Sequence, residues 1–156
     1  MLVFIIVAVI LLAIDLTTKA LLWGGGFTVI PRVLSVPSEK VRNYGAAFGL
    51  PVPTWLLIVV TFVILIGGVT VYWRFKQGRK SKLFNVGCAF VLGGALGNLA
   101  DRIFLGFVRD FIQFDFINFP VMNLADVFLN VGMVLLVIYL VFIYKWREKS
   151  GAKTEN

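Results

Sequence analysis

Asp110 and Asp126 are the residues of this chain whose type and placement point most directly to chemistry. The sequence has no histidine, so Ser–His–Asp triads, Cys–His dyads and the H-E-x-x-H zinc helix are all excluded. Cys88 is the single cysteine; it permits neither an internal disulfide nor a cysteine-built metal cluster, and inside an apolar run it reads as a small filler. Carboxylates, a lysine acting with a serine, or no chemistry at all are what remain. Two carboxylates that face each other in a poorly hydrated site cannot easily both ionise, and the shared proton equips them for acid–base work on a water molecule. Such a reaction needs no metal, and no cofactor is expected. Asp110 falls just after the third apolar run of the chain and Asp126 about one turn into the fourth. An ionisable group at that depth is costly and needs a reason to be there. Asp110 can still be read as a turn residue. Asp126 is harder to dismiss, because its own helix carries no basic residue until Lys145.

The elements that must hold these groups follow from composition. Of 156 residues, 60% are hydrophobic and 15% charged. Runs at 3–22, 54–73, 84–104 and 123–144 each approach the ~20 residues that cross a hydrocarbon core. Four transmembrane helices in one integral-membrane domain over residues 1–156 are therefore expected, with a flexible tail at 146–156. The first run lacks a basic leading segment and a small-residue cleavage site, so it is read as a span. Net charge is +7, and its placement sets orientation. Arg74, Lys76, Arg79, Lys80 and Lys82 lie between spans two and three, and Lys145, Arg147, Lys149 and Lys153 follow span four. Only Arg32, Lys40, Arg42 and Arg109 lie on the other side. Nine against four puts both termini in the cytoplasm. The basic loop suits anionic lipid heads, and nucleic-acid binding is not expected.

Two segments then lie outside. Residues 24–53 contain the β-prone run Phe27-Thr28-Val29-Ile30, closed by Pro31, and a second β-prone run at 33–43 broken by Pro37. A small outer sheet is expected. Residues 105–121 hold Phe107, Phe111, Phe114, Phe116 and Phe119, suited to a membrane boundary. Strand alternation would set Val108, Asp110, Ile112 and Phe114 on one face and turn Arg109 away.

This topology brings the polar residues to one depth. Asp15 and Lys19, four apart near the outer end of span one, can pair. Asn98, Asp101 and Arg102 form a stripe near the outer end of span three. Asn123, Asp126 and Asn130 do so at the start of span four, while Asn43 and Asp110 belong to the outer segments. Gly93 and Gly97 would let another helix approach span three closely. Each group also has a plainer reading. Asp15–Lys19 can be a structural ion pair. Arg102 can neutralise Asp101, lock loops or snorkel to phosphates. Asn98 and Asn123 are either interhelical glue or binders of substrate backbone.

At the level of motifs the chain resembles bacterial lipoprotein signal peptidase (signal peptidase II). Asp15-Leu16-Thr17-Thr18-Lys19 is similar to that family's D-x-x-T-K. Asn43-Tyr44-Gly45-Ala46-Ala47-Phe48-Gly49 resembles its N-x-G-A-A-F-G, and Gly97-Asn98-Leu99-Ala100-Asp101-Arg102 its G-N-x-x-D-R. Val108-Arg109-Asp110-Phe111 and Asn123-Leu124-Ala125-Asp126 resemble V-x-D-F and N-x-A-D. Met122, where the family commonly has Phe, and Arg109, where an apolar residue is common, are departures. The resemblance implies an all-α membrane protein with four transmembrane helices, a small extracytoplasmic β-cradle and a short outer helix. It implies an aspartic endopeptidase of the bacterial cytoplasmic membrane, acting at the outer face. The enzyme would cut the signal peptide from diacylglyceryl-modified prolipoproteins just before the lipidated cysteine. Asp110 and Asp126 would be the catalytic pair. Asp15, Lys19, Asn43, Gly45, Asn98, Asp101, Arg102 and Asn123 would support them or contact substrate, with no metal ligand among them. The partners implied are the lipid-modified prolipoprotein and membrane lipids, with the enzyme a monomer. The outer β segment and the 45–53 stretch would close over the substrate as a lid, Gly45 and Gly49 lending flexibility.

Two other classes compete. A small transporter or proton-conducting module would use Asp15, Asp101 and Asp126 as a relay. A non-enzymatic assembly subunit would use the outer sheet for docking.

Overall fold

The computed structural model describes residues 2–45, 50–76 and 82–144. Four helices dominate: α1 (Leu2–Leu22), α2 (Thr54–Lys76), α3 (Lys82–Leu105) and α4 (Leu124–Ile138), the last continuing as a π-helical segment, Tyr139–Tyr144. Each contains an apolar stretch long enough to cross a membrane, at Val3–Leu22, Thr54–Arg74, Lys82–Leu105 and Leu124–Phe142. These bounds lie within a few residues of those expected from hydropathy. Three short strands, β1 (Phe27–Ile30), β2 (Leu34–Val36) and β3 (Val41–Asn43), join α1 to α2. Two more, β4 (Val108–Asp110) and β5 (Gln113–Phe114), follow α3. They form two antiparallel sheets, β1–β2–β5 and β3–β4, at the end of the helices where α1 and α3 finish and α2 and α4 begin.

α3 is the axis of the bundle, because its small residues face two neighbours at once. A Cβ on Gly93 would press on Ala8 and Leu11 of α1, and one on Gly97 would run into the Asp15 carboxylate. A Cβ on Gly94 would meet Ala125 and Leu129 of α4, while Gly87 faces Gly132 and Leu136. Gly93 and Gly97 thus do what a small-xxx-small pair does, with α1 as the partner. A second glycine face, not anticipated, receives α4.

One expectation about the strands fails. Residues 108–114 are not a single strand with alternating faces. β4 pairs with β3 and stops at Asp110; β5 pairs with β2 and belongs to the other sheet. Between them the Phe111 and Ile112 N–H groups both donate to the Met122 carbonyl, at 2.9 and 2.8 Å, and Met122 N–H returns a bond to Ile112. Two residues facing one is the signature of a bulge. It turns Phe111 inward beside Asp110, so that both are buried, and Phe111 is no boundary aromatic. It also ties the residue before Asn123 to the strand that carries Asp110.

Among the described residues the connections carry no helix beyond these elements. Residues 46–49 of the expected lid, the basic stretch 77–81 and the tail lie outside the described residues.

At the opposite end of the bundle, Phe4, Tyr72 and Phe84 stack in sequence and Tyr139 packs tilted against Phe84, with ring centroids 4.5, 5.9 and 5.1 Å apart. Between that cluster and the sheets a groove of about 890 Å³ runs along α2, bounded across from it by α3 and α4.

Candidate active site

The site is built outward from the first turn of α4. Asn123 sits in extended backbone geometry and caps the helix, its Oδ1 accepting from Asp126 N–H at 3.1 Å. Asp126 Oδ2 accepts in return from Asn123 N–H at 3.2 Å. This reciprocal capping box fixes both side chains at a helix N-terminus, which favours negative charge. With its oxygen engaged, the Asn123 amide must turn its NH2 outward, where it donates to Asp110 Oδ1 at 2.7 Å. One asparagine therefore bridges the two aspartates that the sequence singles out.

Two further amides follow the same rule. Asn43 accepts from Gly45 N–H at 3.0 Å and so presents its NH2 to Asp110 Oδ2, at 3.1 Å. The pairing register explains the reach: Val41 lies opposite Asp110 and Asn43 opposite Val108, so Asn43 and Asp110 are diagonal neighbours on one face. Asn98 accepts from Lys19 Nζ at 3.0 Å and presents its NH2 to Asp126 Oδ1, at 2.8 Å. These asparagines are amide donors aimed at the carboxylates, a role the sequence left unresolved between glue and substrate binding.

Behind the amides lies a fully buried charge cluster. Lys19 pairs with Asp15 at 2.8 Å and lies 3.5 Å from Asp101; all three side chains are withdrawn from solvent. Asp15 Oδ1 accepts from Ala125 N–H at 2.9 Å, so α1 helps to cap α4. Gly97 makes that approach possible. The i,i+4 pair is thus a structural ion pair, as its plain reading had it, and it also orients Asn98. Asp101 receives the Arg109 backbone N–H at 3.0 Å and a guanidinium fork with its closest contact at 2.8 Å. That clamp turns Arg109 away from Asp110, as alternation predicts. The direct ion pairs of Asp101 are thus with Arg109 and Lys19. Sequence reasoning turned Arg109 away from Asp110 but gave it no partner. Its eight-residue separation from Asp101, across a helix end and a turn, carries no periodic signal.

Arg102 instead reaches over the site to the Gly45 carbonyl at 3.3 Å, and its Nε is buried without a partner among the described residues. Arg102, Asn43, Asn98 and Asp126 line one end of the groove. Asp110 opens onto a smaller adjoining hollow that shares Asn43, Pro120 and Val121 with the groove. Burial, and after it the charge of Asp126, pushes the Asp110 carboxyl up to about 6. The amide bonds from Asn123 and Asn43 and the charge of Lys19 pull the other way without cancelling the rise. The outline of the groove is not readable from the sequence, because the side of a helix that faces a groove and the side that faces lipid are both apolar.

A family model described as signal peptidase (SPase) II matches residues 7–142. Among curated proteins, the chain is 35% identical to a lipoprotein signal peptidase of Enterococcus faecalis, over 99% of this chain and 94% of the relative. It is 38% identical to one of Bacillus pumilus, over 93% and 96%. Two solved structures, each described as a bacterial membrane enzyme, superpose with TM-scores of 0.79 and 0.77 at 33% and 32% identity. They cover 89% and 90% of this chain, and the chain covers 87% and 93% of theirs.

Proposed function

The chain belongs to the signal peptidase II family, and from that premise we propose that Asp110 and Asp126 are its catalytic pair. Its activity is the cleavage of lipoprotein signal peptides. The substrate is a diacylglyceryl-modified prolipoprotein, cut just before the lipidated cysteine. The observation that carries the reading is the Asn123 side chain, which binds Asp110 while it caps the helix turn that holds Asp126.

The chemistry follows from the environments. Asp110, the acid pushed up toward 6, holds the shared proton when substrate displaces water from the site. Asp126, held by its cap and by Asn98, takes a proton from a water molecule lodged between the pair. The water oxygen bonds to the scissile carbonyl carbon while Asp110 protonates the carbonyl oxygen. As the resulting gem-diol collapses, one of its hydroxyls returns a proton to Asp110 and the C–N bond breaks. The cysteine nitrogen leaves as an amine carrying the proton that Asp126 acquired, and the signal peptide keeps the new carboxyl group. Arg102 lines the groove and its Nε has no partner among the described residues, which suits it to hold a substrate carbonyl.

The molecule works as a monomeric integral-membrane unit of the bacterial cytoplasmic membrane. Both termini are cytoplasmic, and the strands form an extracytoplasmic cradle at the level of the lipid heads. The basic residues flanking α2, α3 and α4 support that orientation. The acyl chains stay in lipid beside the site while the peptide bond rises to it. A proton relay through Asp15, Asp101 and Asp126 is not favoured: Asp15 and Asp101 are closed into ion pairs at one end of the bundle and form no path across it. The test is incubation of the purified enzyme with a lipidated prolipoprotein peptide. Scission before the modified cysteine supports the reading, and an intact peptide after prolonged incubation sinks it.

A further inference from the structure

The end of the groove far from the aspartates is closed by aromatic rings, and one polar atom there has no partner among the described residues. Tyr72 is buried at 4% exposure and lines the groove, yet its hydroxyl has no hydrogen-bond partner among the described residues. Phe4 and Phe84 stack on its two sides, and Tyr139 packs against Phe84, so the ring is held in place. A buried unpaired hydroxyl costs about 1–3 kcal/mol. We propose that this floor receives the N-terminal turn of the substrate's apolar signal segment, and that the Tyr72 hydroxyl accepts a hydrogen bond from one of that turn's free backbone N–H groups.

The inference rests on the prolipoprotein reading and extends it. If the bond to be cut lies at the aspartates, the chain preceding it runs down the groove toward Tyr72. Asn98 and Phe84, at the two ends of the groove on α3, are separated by about 14 residues, or roughly 21 Å of helix. The apolar segment of a signal peptide has ~7–15 residues. Away from water it must satisfy its own backbone as a helix, which leaves its first N–H groups unbonded. The longer segments reach the floor and the shorter ones do not. Tyr72 would then act as a cap supplied by the enzyme and as a gauge of segment length.

The test compares wild type with Tyr72→Phe in detergent, using lipidated prolipoprotein peptides. One set varies the length of the apolar segment; another replaces a first-turn amide by an ester, which removes the N–H. Wild type is expected to lose about fivefold in KM with the ester. Tyr72→Phe is expected to show that same rise with the amide peptide and no further loss with the ester, the change staying in KM rather than kcat. Shortening the segment by one turn should erase the difference between the two enzymes. Without substrate, Tyr72→Phe should unfold at a higher temperature than wild type, because the lone hydroxyl is gone. The proposal is overturned if the variant is less stable and weakened equally on amide and ester. It is also overturned if its sensitivity follows the length of the acyl chains on the cysteine instead of the peptide segment. In both cases cleavage continues and the peptidase assignment survives; failure of wild type to cut any peptide would overturn both.

Discussion

α3 and α2 border the same groove and are made in opposite ways. Half of the apolar stretch of α3 is buried within the protein, whereas along α2 Tyr72 alone is buried among the described residues. α3 carries Gly87, Gly93, Gly94 and Gly97 at close contacts with two other helices, and it ends in Asn98, Asp101 and Arg102, each committed to a named partner. α2 has two adjacent glycines, Gly67 and Gly68, with nothing near where a side chain would stand. The contrast separates two tasks. Positioning two carboxylates requires a backbone that cannot shift, because packed small residues and buried charges allow one arrangement. A wall that admits segments of varied sequence needs apolar surface and freedom to adjust. Precision is concentrated where α1, α3, α4 and β4 meet, and compliance along α2.

That division can be tested by substitution. The largest effect is expected at the pair itself: Asp110→Asn or Asp126→Asn should lower kcat by about 10⁴-fold or more, as loss of an essential acid or base does elsewhere. Both variants should still insert in membranes, and purified protein that keeps turning over would refute the assignment. Next comes Lys19→Ala, which leaves Asp15 and Asp101 buried with less compensation and frees Asn98 to rotate. A loss of about 3–5 kcal/mol in unfolding free energy is expected, with impaired cleavage. A Lys19→Ala enzyme as stable as wild type would mean that the rigid half is not held by this cluster.

pH should sharpen the same picture. Asp110 is raised, so its protonated form persists above the ordinary carboxylate range and is lost as pH climbs through about 6. If that proton is required, kcat/KM, which reports the free enzyme, should fall about tenfold per pH unit above that value. The kcat profile should break at higher pH, because bound substrate dries the site further. Coincident profiles would argue against desolvation by substrate. The smallest effects oppose the two helices directly. Gly97→Ala should cost about 1–3 kcal/mol through collision with Asp15. Gly67→Ala should be neutral or gain up to about 1 kcal/mol, since it meets open space and favours helix. Equal losses from both, read by thermal unfolding in detergent, would erase the distinction between a fixed and a compliant wall.

Much of this design is legible in the residues. Four apolar runs of spanning length dictate four helices, because hydrocarbon leaves the backbone no other way to bond itself. The i,i+4 spacing of Asp15 and Lys19 announces their ion pair, and the absence of histidine narrows the chemistry to carboxylates. Strand alternation correctly turns Arg109 from Asp110 for the length of β4. It fails one residue later, because the double bond of Phe111 and Ile112 to Met122 is a pairing between segments that no local pattern encodes.

The kinds of groups and their depth are thus properties of the one-dimensional chain, set by the cost of placing charge and unbonded backbone in oil. Their orientation is not. Which end of each asparagine amide faces an aspartate depends on a donor from another element: Lys19 for Asn98, Gly45 for Asn43, the first turn of α4 for Asn123. Only the folded arrangement brings those donors within about 3 Å of their acceptors, and at that range hydrogen bonding selects a single geometry.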